Sequence, residues 1–341
     1  MSQGANKQAL VAQRGEAKAR RPIKANWRPD RLIVNFIIWV LLLTVPFWLP
    51  LIGGYTALAS RILIYALCAM ALNLLLGFTG MMSFGQAAYF GLGGYGAGLS
   101  LVYLTHSTWL AVIAGTALGG LAAFVLGGLV MRSRGIYFAM ITVAIGQIFY
   151  FIAERWDSLT GGQDGLTGFS RQPLHFGSLV VPLDDVHFYY FVLLFFAIGT
   201  GIIATLLSAP LGHTFVAIRE NRRRANFLGI HVSRYVWASF AIAGLLGGLA
   251  GALNALENNF VSPADLYWVE SGNFVIIAVL GGMRSLWGPL VGAIVFIGFQ
   301  NYVSSFLPQN WETVIGILFI VIVLFFPNGI LGLVRRRLQV T

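Results

Sequence analysis

Arginine is the residue type whose spacing first suggests chemistry. From His213 the chain reads His-Thr-Phe-Val-Ala-Ile-Arg-Glu-Asn-Arg-Arg-Arg-Ala-Asn-Phe-Leu-Gly-Ile-His-Val-Ser-Arg-Tyr. Guanidinium groups recognise carboxylates and phosphates through paired hydrogen bonds, so this stretch suits an acidic partner, whether protein or lipid. On a helix, Phe215, Ile218, Arg222 and Ala225 share one face, and Arg219, Arg223 and Asn226 share another. Gly229 is placed to end that helix. The spacing predicts a short amphipathic helix with an apolar tip, Phe227-Leu228, suited to docking a protein. The remaining polar groups inside apolar runs are neutral: Asn73, Ser83, Gln86, Thr142, Gln147, Ser239, Asn254, Gln300 and Asn301. Side chains of this kind bond between helices, or line an uncharged passage of low affinity. Asn73, Ser83, Gln86 and Gln147 are the candidates for such a passage.

Other reactive constellations are missing from the sequence. All three lysines precede residue 25 and no Gly-Lys-Ser/Thr occurs, so the chain lacks the lysine a P-loop sets on nucleotide phosphates. There is no His-Glu-x-x-His pair and no G-x-S-x-G elbow. The single cysteine, Cys68, excludes an internal disulfide and a cysteine-based metal site. His106, His175, His187, His213 and His231 are scattered, as solvated or interfacial histidines are. No metal site and no catalytic residue is expected.

The elements that must carry these residues are set by composition. The chain of 341 residues is 57 % hydrophobic and 10 % charged, against about 25 % charged in an average soluble domain. So few charges cannot coat a soluble core of this size. A cytosolic enzyme, a disordered chain and a nucleic-acid binder are thereby excluded, and a polytopic all-α membrane bundle is expected. Runs of about 20 apolar residues fall near 32–52, 58–76, 85–104, 109–131, 136–153, 187–207, 235–256, 268–283, 286–306 and 312–327. These predict about 10 spans, with eight spans plus re-entrant segments as the alternative. A basic tail, 1–31, precedes the membrane domain 32–334, and a basic end, 335–341, follows it. The interiors of the runs are read as almost free of Asp, Glu, Lys, Arg and His, which argues against proton-coupled transport. Gly94 and Gly98, Gly115 and Gly119, Gly244 and Gly248, Gly247 and Gly251, and Gly288 and Gly292 are each four apart, a spacing that lets helix backbones approach closely.

Charge orients this bundle. With both termini in the cytoplasm, the inner segments hold 19 of the 22 basic residues, leaving only Arg61, Arg155 and Arg171 outside. Inside is then +16 and outside −6, together the net +10 of the chain. Such an asymmetry is the positive-inside pattern, so the basicity reports topology and no nucleic-acid partner. Two loops are long: 154–186 outside, with Thr160-Gly161-Gly162-Gln163-Asp164-Gly165, and 208–234 inside, with the arginines. The basic tail suits anionic membrane lipid.

Four stretches, in order, carry a resemblance. They are Leu72-Asn73-Leu74-Leu75-Leu76-Gly77 with Gly80 and Ser83-Phe84-Gly85-Gln86-Ala87-Ala88; Arg134-Gly135-Ile136-Tyr137-Phe138-Ala139-Met140; Ala217-Ile218-Arg219-Glu220-Asn221 through Ala225, Leu228-Gly229-Ile230 and Arg234-Tyr235; and Val279-Leu280-Gly281-Gly282 with Ser285-Leu286-Trp287-Gly288-Pro289. The closing Phe326-Pro327-Asn328-Gly329-Ile330 fits as well. Over about 60–335 the chain resembles branched-chain amino acid ABC transporter permeases, in particular the LivM-type inner-membrane subunit.

The resemblance implies a non-catalytic half of an ATP-driven importer for branched-chain amino acids or a related small polar solute. Urea and short amides are the alternative solutes, and a self-sufficient ion-coupled carrier or channel is the alternative class. It implies a second, LivH-type permease, two ATPase subunits that use ATP and Mg, and a periplasmic or surface substrate-binding protein. Arg219, Glu220, Asn221, Arg223, Arg224, Ala225 and Gly229 then belong to the loop that meets the ATPases, and Gly161, Gly162 and Asp164 to a surface that receives the binding protein. Arg222-Arg223-Arg224 departs from the common pattern of an acidic residue followed by small ones, which implies a more acidic ATPase groove.

Overall fold

In a computed structural model, the structure describes residues 29–306 apart from 106, 134, 177 and 178, with short pieces at 308, 313–317, 320, 324 and 329–331. The expected basic tail before Pro29, Arg134, most of the tenth apolar run and the basic end 335–341 lie outside the described residues. The chain is helical, apart from one small antiparallel hairpin: α1 Pro29–Trp48, α2 Thr56–Asn73, α3 Gln86–Leu99, α4 Thr108–Val130, α5 Ile136–Arg155, β1 Leu174–Phe176, β2 Leu179–Val181, α6 Asp185–Ser208, α7 Pro210–Glu220, α8 Arg222–Phe227, α9 Val232–Asn258, α10 Trp268–Gly281 and α11 Gly288–Phe306. Among the described residues, 29–44 fall in one unit and those from Val45 onward in another. In the first unit the apolar part of α1 begins at Val34. The rest of this description concerns the second.

Among the described residues, six helices are long and apolar enough to cross a membrane: α2 with its continuation to Thr79, α4, α5, α6, α9 and α11. Their burial differs for a reason visible in their residues. In its most apolar window α2 is 83 % buried, against 22 % for α5. Apolar around most of its length apart from Arg61, and studded with Ala, Ser and Cys, α2 is suited to the centre of the bundle, whereas α5 presents Ile136, Tyr137, Met140, Ile148 and Phe151 outward.

Helices α3, α4 and α9 form the most closely packed trio, and glycine makes this possible. A Cβ at Gly93 would run into the Gly248 carbonyl, one at Gly119 would lie 2.6 Å from the Gly248 Cα, and one at Gly251 would run into the Phe90 carbonyl. Gly115 and Gly119, Gly244 and Gly248, and Gly247 and Gly251 lie in this trio, and Gly288 and Gly292 approach the backbone of α10, whereas Gly98 meets the side chains of Leu166 and Phe169. Backbones this close gain dispersion contacts that lipid cannot supply.

Helix α3 has 14 residues and continues as a π-helical stretch, Ser100–Leu104, whereas α10 has 14 residues alone, about 21 Å at 1.5 Å per residue, short of the ~30 Å hydrocarbon core. Both helices begin inside the bundle. Gln86 Nε2 donates to the Ala243 carbonyl at 2.9 Å, and Ala243 lies near the middle of α9. Ala87 N–H, in the first turn of α3, donates to Ser271 Oγ in the first turn of α10 at 2.8 Å. The two N-termini therefore meet at mid-depth. The chain reaches α3 through the non-helical stretch Gly80–Gly85, and α10 through Phe260–Tyr267, which includes the short 3-10 turn Pro263–Leu266. Irregular backbone is tolerated at such depth where protein satisfies its polar groups. Here Thr142 Oγ1 accepts from Phe84 N–H, Ser83 Oγ from Gly85 N–H and Ser262 Oγ from Ala264 N–H.

Candidate functional site

Two ends and a middle carry the polar residues. At one end lie α7 and α8. Pro210 opens α7 at the position where a missing N–H costs nothing. Helix α7 buries Phe215 and Ile218 completely. The expected single amphipathic helix is in fact two, because Asn221 turns extended (φ −157°) and its Oδ1 accepts from Arg224 N–H at 2.9 Å, capping α8. Asn221 can serve both as breaker and as cap because a short amide side chain competes with helical hydrogen bonding. Gly229 (φ 82°) then ends the segment as predicted.

The break divides the seven residues singled out for this loop. Glu220, Asn221, Arg223, Arg224 and Gly229 are exposed, together with Phe227 at 90 % and Leu228 at 73 %. Ala225 is buried. Arg219 turns back into the protein, where its Nη1 donates to the Gly77 carbonyl at 2.6 Å, just beyond the end of α2. Its stem lies against Gly80, whose φ of 74° and lack of a side chain leave room for it. Burial, and secondarily the charge of nearby Arg284, lower the Arg219 pKa from its ordinary value. Beside α8, a cavity of about 240 Å³ is lined by Met131, Arg132, Arg222, Arg223, Asn226, Val232 and Ser233.

Asn73 works at this same end. Its Nδ2 donates to the Ser285 carbonyl at 3.0 Å, and its Oδ1 accepts from Arg284 N–H at 3.4 Å. It thus ties the end of α2 to the turn between α10 and α11. In the middle, Ser83 and Gln86 are fully buried around the start of α3. Gln147 Nε2 is enclosed on α5 without a hydrogen-bond partner. Of the four passage candidates, Asn73 clamps a turn at one end, Ser83 and Gln86 lie at the start of α3, and Gln147 lies on α5.

The apolar runs carry few charges, and two of those few converge. Arg61 lies near the start of α2 and Glu270 in the first turn of α10. Both sit near Tyr65, and Asn273 Nδ2 donates to Glu270 Oε2 at 2.9 Å. Hydropathy averaged over a whole run absorbs a single charge, and only the folded chain shows the two converging. The available signal was that each run carried one lone ionisable residue.

At the opposite end, the loop after α5 folds back onto the bundle. Leu166 pairs with Val261 through hydrogen bonds of 2.8 and 3.1 Å. Gly161 (φ 77°) and Gly162 (φ 59°) shape this turn, and a Cβ on either would collide, with the Gly165 carbonyl and with Asp157 Oδ1 respectively. Gly162 is buried while Gln163 and Asp164 are exposed, so of the three docking candidates Asp164 offers a side chain to a partner. Arg171 fastens the loop: it pairs with Asp185 at 3.1 Å, donates to the Glu257 carbonyl at 3.1 Å and lies 4.5 Å above the Phe188 ring. His187 bonds Asp184. No grouping of three potential metal ligands occurs among the described residues.

Comparison with known proteins supplies the context. A family model described as "Branched-chain amino acid transport system / permease component" matches residues 54–323. The high-affinity branched-chain amino acid transport system permease protein LivM of Escherichia coli is 27 % identical over 324 residues, covering 89 % of this chain and 76 % of that protein. The LivM protein of Salmonella typhimurium is 26 % identical with the same coverage. The LivH permease of Escherichia coli is 24 % identical over 285 residues, 79 % of this chain and 91 % of LivH. No solved structure matches the chain.

Proposed function

Since the chain belongs to the family of branched-chain amino acid transport system permease components, we propose that it is one of two permease subunits in an ATP-binding-cassette importer. It is a multi-pass membrane protein. In this reading the inner bacterial membrane holds it in about ten spans, with both termini and the arginine-rich end in the cytoplasm, as the positive-inside asymmetry supports. Branched-chain amino acids are the solutes, following the names of its relatives. A LivH-type permease completes the passage, a substrate-binding protein delivers solute to the outer loop, and two ATPase subunits consume ATP and Mg while this chain catalyses nothing. The alternatives, a permease for urea and short amides or a self-sufficient carrier, have no observation in their favour.

The observation that carries the reading is the α7–α8 loop. It exposes Glu220, Arg223, Arg224, Phe227 and Leu228 at its tip, while Arg219 grips the Gly77 carbonyl at its base. A partner holding the tip can thereby pull on the end of the central helix α2. ATP-driven closure of the ATPases would bias the bundle between two arrangements through differential contact with this loop. The test is uptake of radiolabelled leucine into proteoliposomes. Uptake is expected only with both permeases, both ATPases, the binding protein and internal ATP; concentrative uptake by this chain alone would overturn the reading.

A further inference from the structure

The cavity beside α8 has no role in the reading so far. Arg132, Arg222 and Arg223 are among its lining residues, and none of the lining residues is acidic. Arg132 comes from the turn after α4, Arg222 and Arg223 from α8, and Val232 and Ser233 from the first turn of α9. Arg132 and Arg223 make no ion pair among the described residues. Guanidinium groups gathered around one small space repel each other, so the arrangement calls for an anion, and the fork of each fits phosphate oxygens.

The depth of the cavity decides which anion reaches it. Helix α4 has 23 residues, about 34 Å at 1.5 Å per residue, a little more than the ~30 Å hydrocarbon core. Met131 and Arg132, directly after it, therefore lie at the level of the lipid headgroups. Trp237, of a residue type enriched at that level, bridges α9 to α4: its Nε1 donates to the Phe124 carbonyl at 2.7 Å, and its ring centroid lies 4.4 Å from that of Phe124. Leading away from the cavity along α4, Leu129, Val125 and Leu121 are exposed at intervals of four, an apolar stripe on one helical face. The volume, about 240 Å³, is below the ~300–1,000 Å³ of sites that enclose a whole drug-sized ligand. That size suits a ligand whose head is held and whose remainder lies outside.

We propose that this cavity binds the phosphate of an anionic phospholipid, whose acyl chains lie along Leu129, Val125 and Leu121. Arg132, Arg222 and Arg223 meet the phosphate oxygens, as basic pockets between membrane helices do for acidic headgroups. Ser233 adds a hydroxyl donor, and Met131 and Val232 form the apolar part of the wall. The inference rests on the multi-pass membrane placement alone and stands apart from the importer reading. A lipid held here touches the end of α4, the start of α9 and α8 together, so it braces the arginine-rich loop against the bundle.

The experiment titrates the full chain, in a neutral detergent, with phosphatidylglycerol or phosphatidylcholine and counts bound lipid by native mass spectrometry. One phosphatidylglycerol is expected to bind about ten-fold or more tighter than phosphatidylcholine, and Arg132→Gln should weaken it about five-fold. Ser233→Asp, which sets a negative charge in the cavity wall, should weaken it at least as much. That variant stays folded, because an acidic residue in a helix's first turn stabilises the helix. Arg234→Gln removes an exposed charge that is not part of the lining and should leave binding nearly unchanged. Equal binding of the two lipids, or unchanged binding in Arg132→Gln and Ser233→Asp, would overturn the inference. So would an equal loss in Arg132→Gln and Arg234→Gln, because that pattern reports diffuse basicity and no site. Displacement of the lipid by inorganic phosphate would assign the cavity to a soluble anion, and displacement by an acidic partner protein would make it a protein contact; either would overturn the lipid assignment.

Discussion

Arg219 donates to the carbonyl of Gly77 across 142 residues of sequence, at 2.6 Å. One residue of the arginine-rich loop thereby becomes part of the central helix's end. That carbonyl lies in the π-helical stretch Leu74–Thr79, where the wider turn presents backbone oxygens that a regular helix would use internally. A guanidinium–carbonyl bond of this kind contributes about 1.5–3 kcal/mol, enough to transmit a pull.

Removing that bond should uncouple the loop from the bundle. Arg219→Ala is expected to reduce ATP-driven uptake about ten-fold, while the ATPases still copurify, since the exposed tip of α8 is untouched. Arg219→Lys, with a single donor head still able to reach a carbonyl, should be intermediate. Full uptake by the Ala variant would show that force passes elsewhere.

The tip itself should carry the docking energy. Arg223 and Arg224 are exposed, two and three residues beyond the Asn221 break. Reversing both to Glu is expected to release the ATPases from the purified permease pair, because like charges then face an acidic groove. Equal recovery of ATPase with the double variant and the wild type would show that the groove is not acidic.

Much of this was legible in the sequence, and the failures share a cause. The helices were readable because lipid demands long apolar runs, and the glycine pairs because close backbone approach demands small residues. Gly229 was readable because a left-handed helix end favours glycine. The break at Asn221 was not, because Asn is acceptable inside a helix and caps one only when the backbone turns extended. The inward turn of Arg219, the mid-depth starts of α3 and α10 and the approach of Arg61 to Glu270 all depend on residues far apart in the chain, which local pattern cannot bring together. For the same reason Asn73, Ser83, Gln86 and Gln147 looked alike in sequence although the structure sets them in different surroundings.

The glycine trio offers a graded stability test. Gly251→Ala places a Cβ against the Phe90 carbonyl, a backbone atom with nowhere to move. Overpacking of this kind costs about 1–3 kcal/mol, so the detergent-solubilised protein should melt several degrees lower. Gly201→Ala, within α6 and with nothing within 4 Å of its added Cβ, should gain up to about 1 kcal/mol from helix propensity. If both variants melt alike, close backbone approach is not what packs α9.

On the opposite side, the loop after α5 should separate shape from recognition. Asp164→Lys changes an exposed charge and is expected to weaken productive capture of loaded binding protein without lowering the melting temperature. Gly162→Ala forces a side chain into a positive φ beside Asp157 and should lower stability as well as uptake. Undiminished uptake with Lys at position 164 would remove that residue from any docking role.

Arg284 should be removable at a profit in stability. It holds a φ of 67°, a conformation that costs a non-glycine residue about 1–2 kcal/mol. Its charge also acts against Arg219, which cannot move away while bonded to Gly77. Its backbone N–H bonds Asn73 Oδ1, and that contact survives any side-chain change. Arg284→Gly is therefore expected to raise the melting temperature, whereas Asn73→Ala, which leaves both the Ser285 carbonyl and the Arg284 N–H unpaired, should lower it by the ~1–3 kcal/mol of a buried unsatisfied group. In the double variant the two effects should not add, because the turn between α10 and α11 is freer with glycine at 284 and can turn its orphaned groups toward water. A lower melting temperature for Arg284→Gly alone would mean that the arginine side chain, and not the backbone bond to Asn73, is what holds this turn.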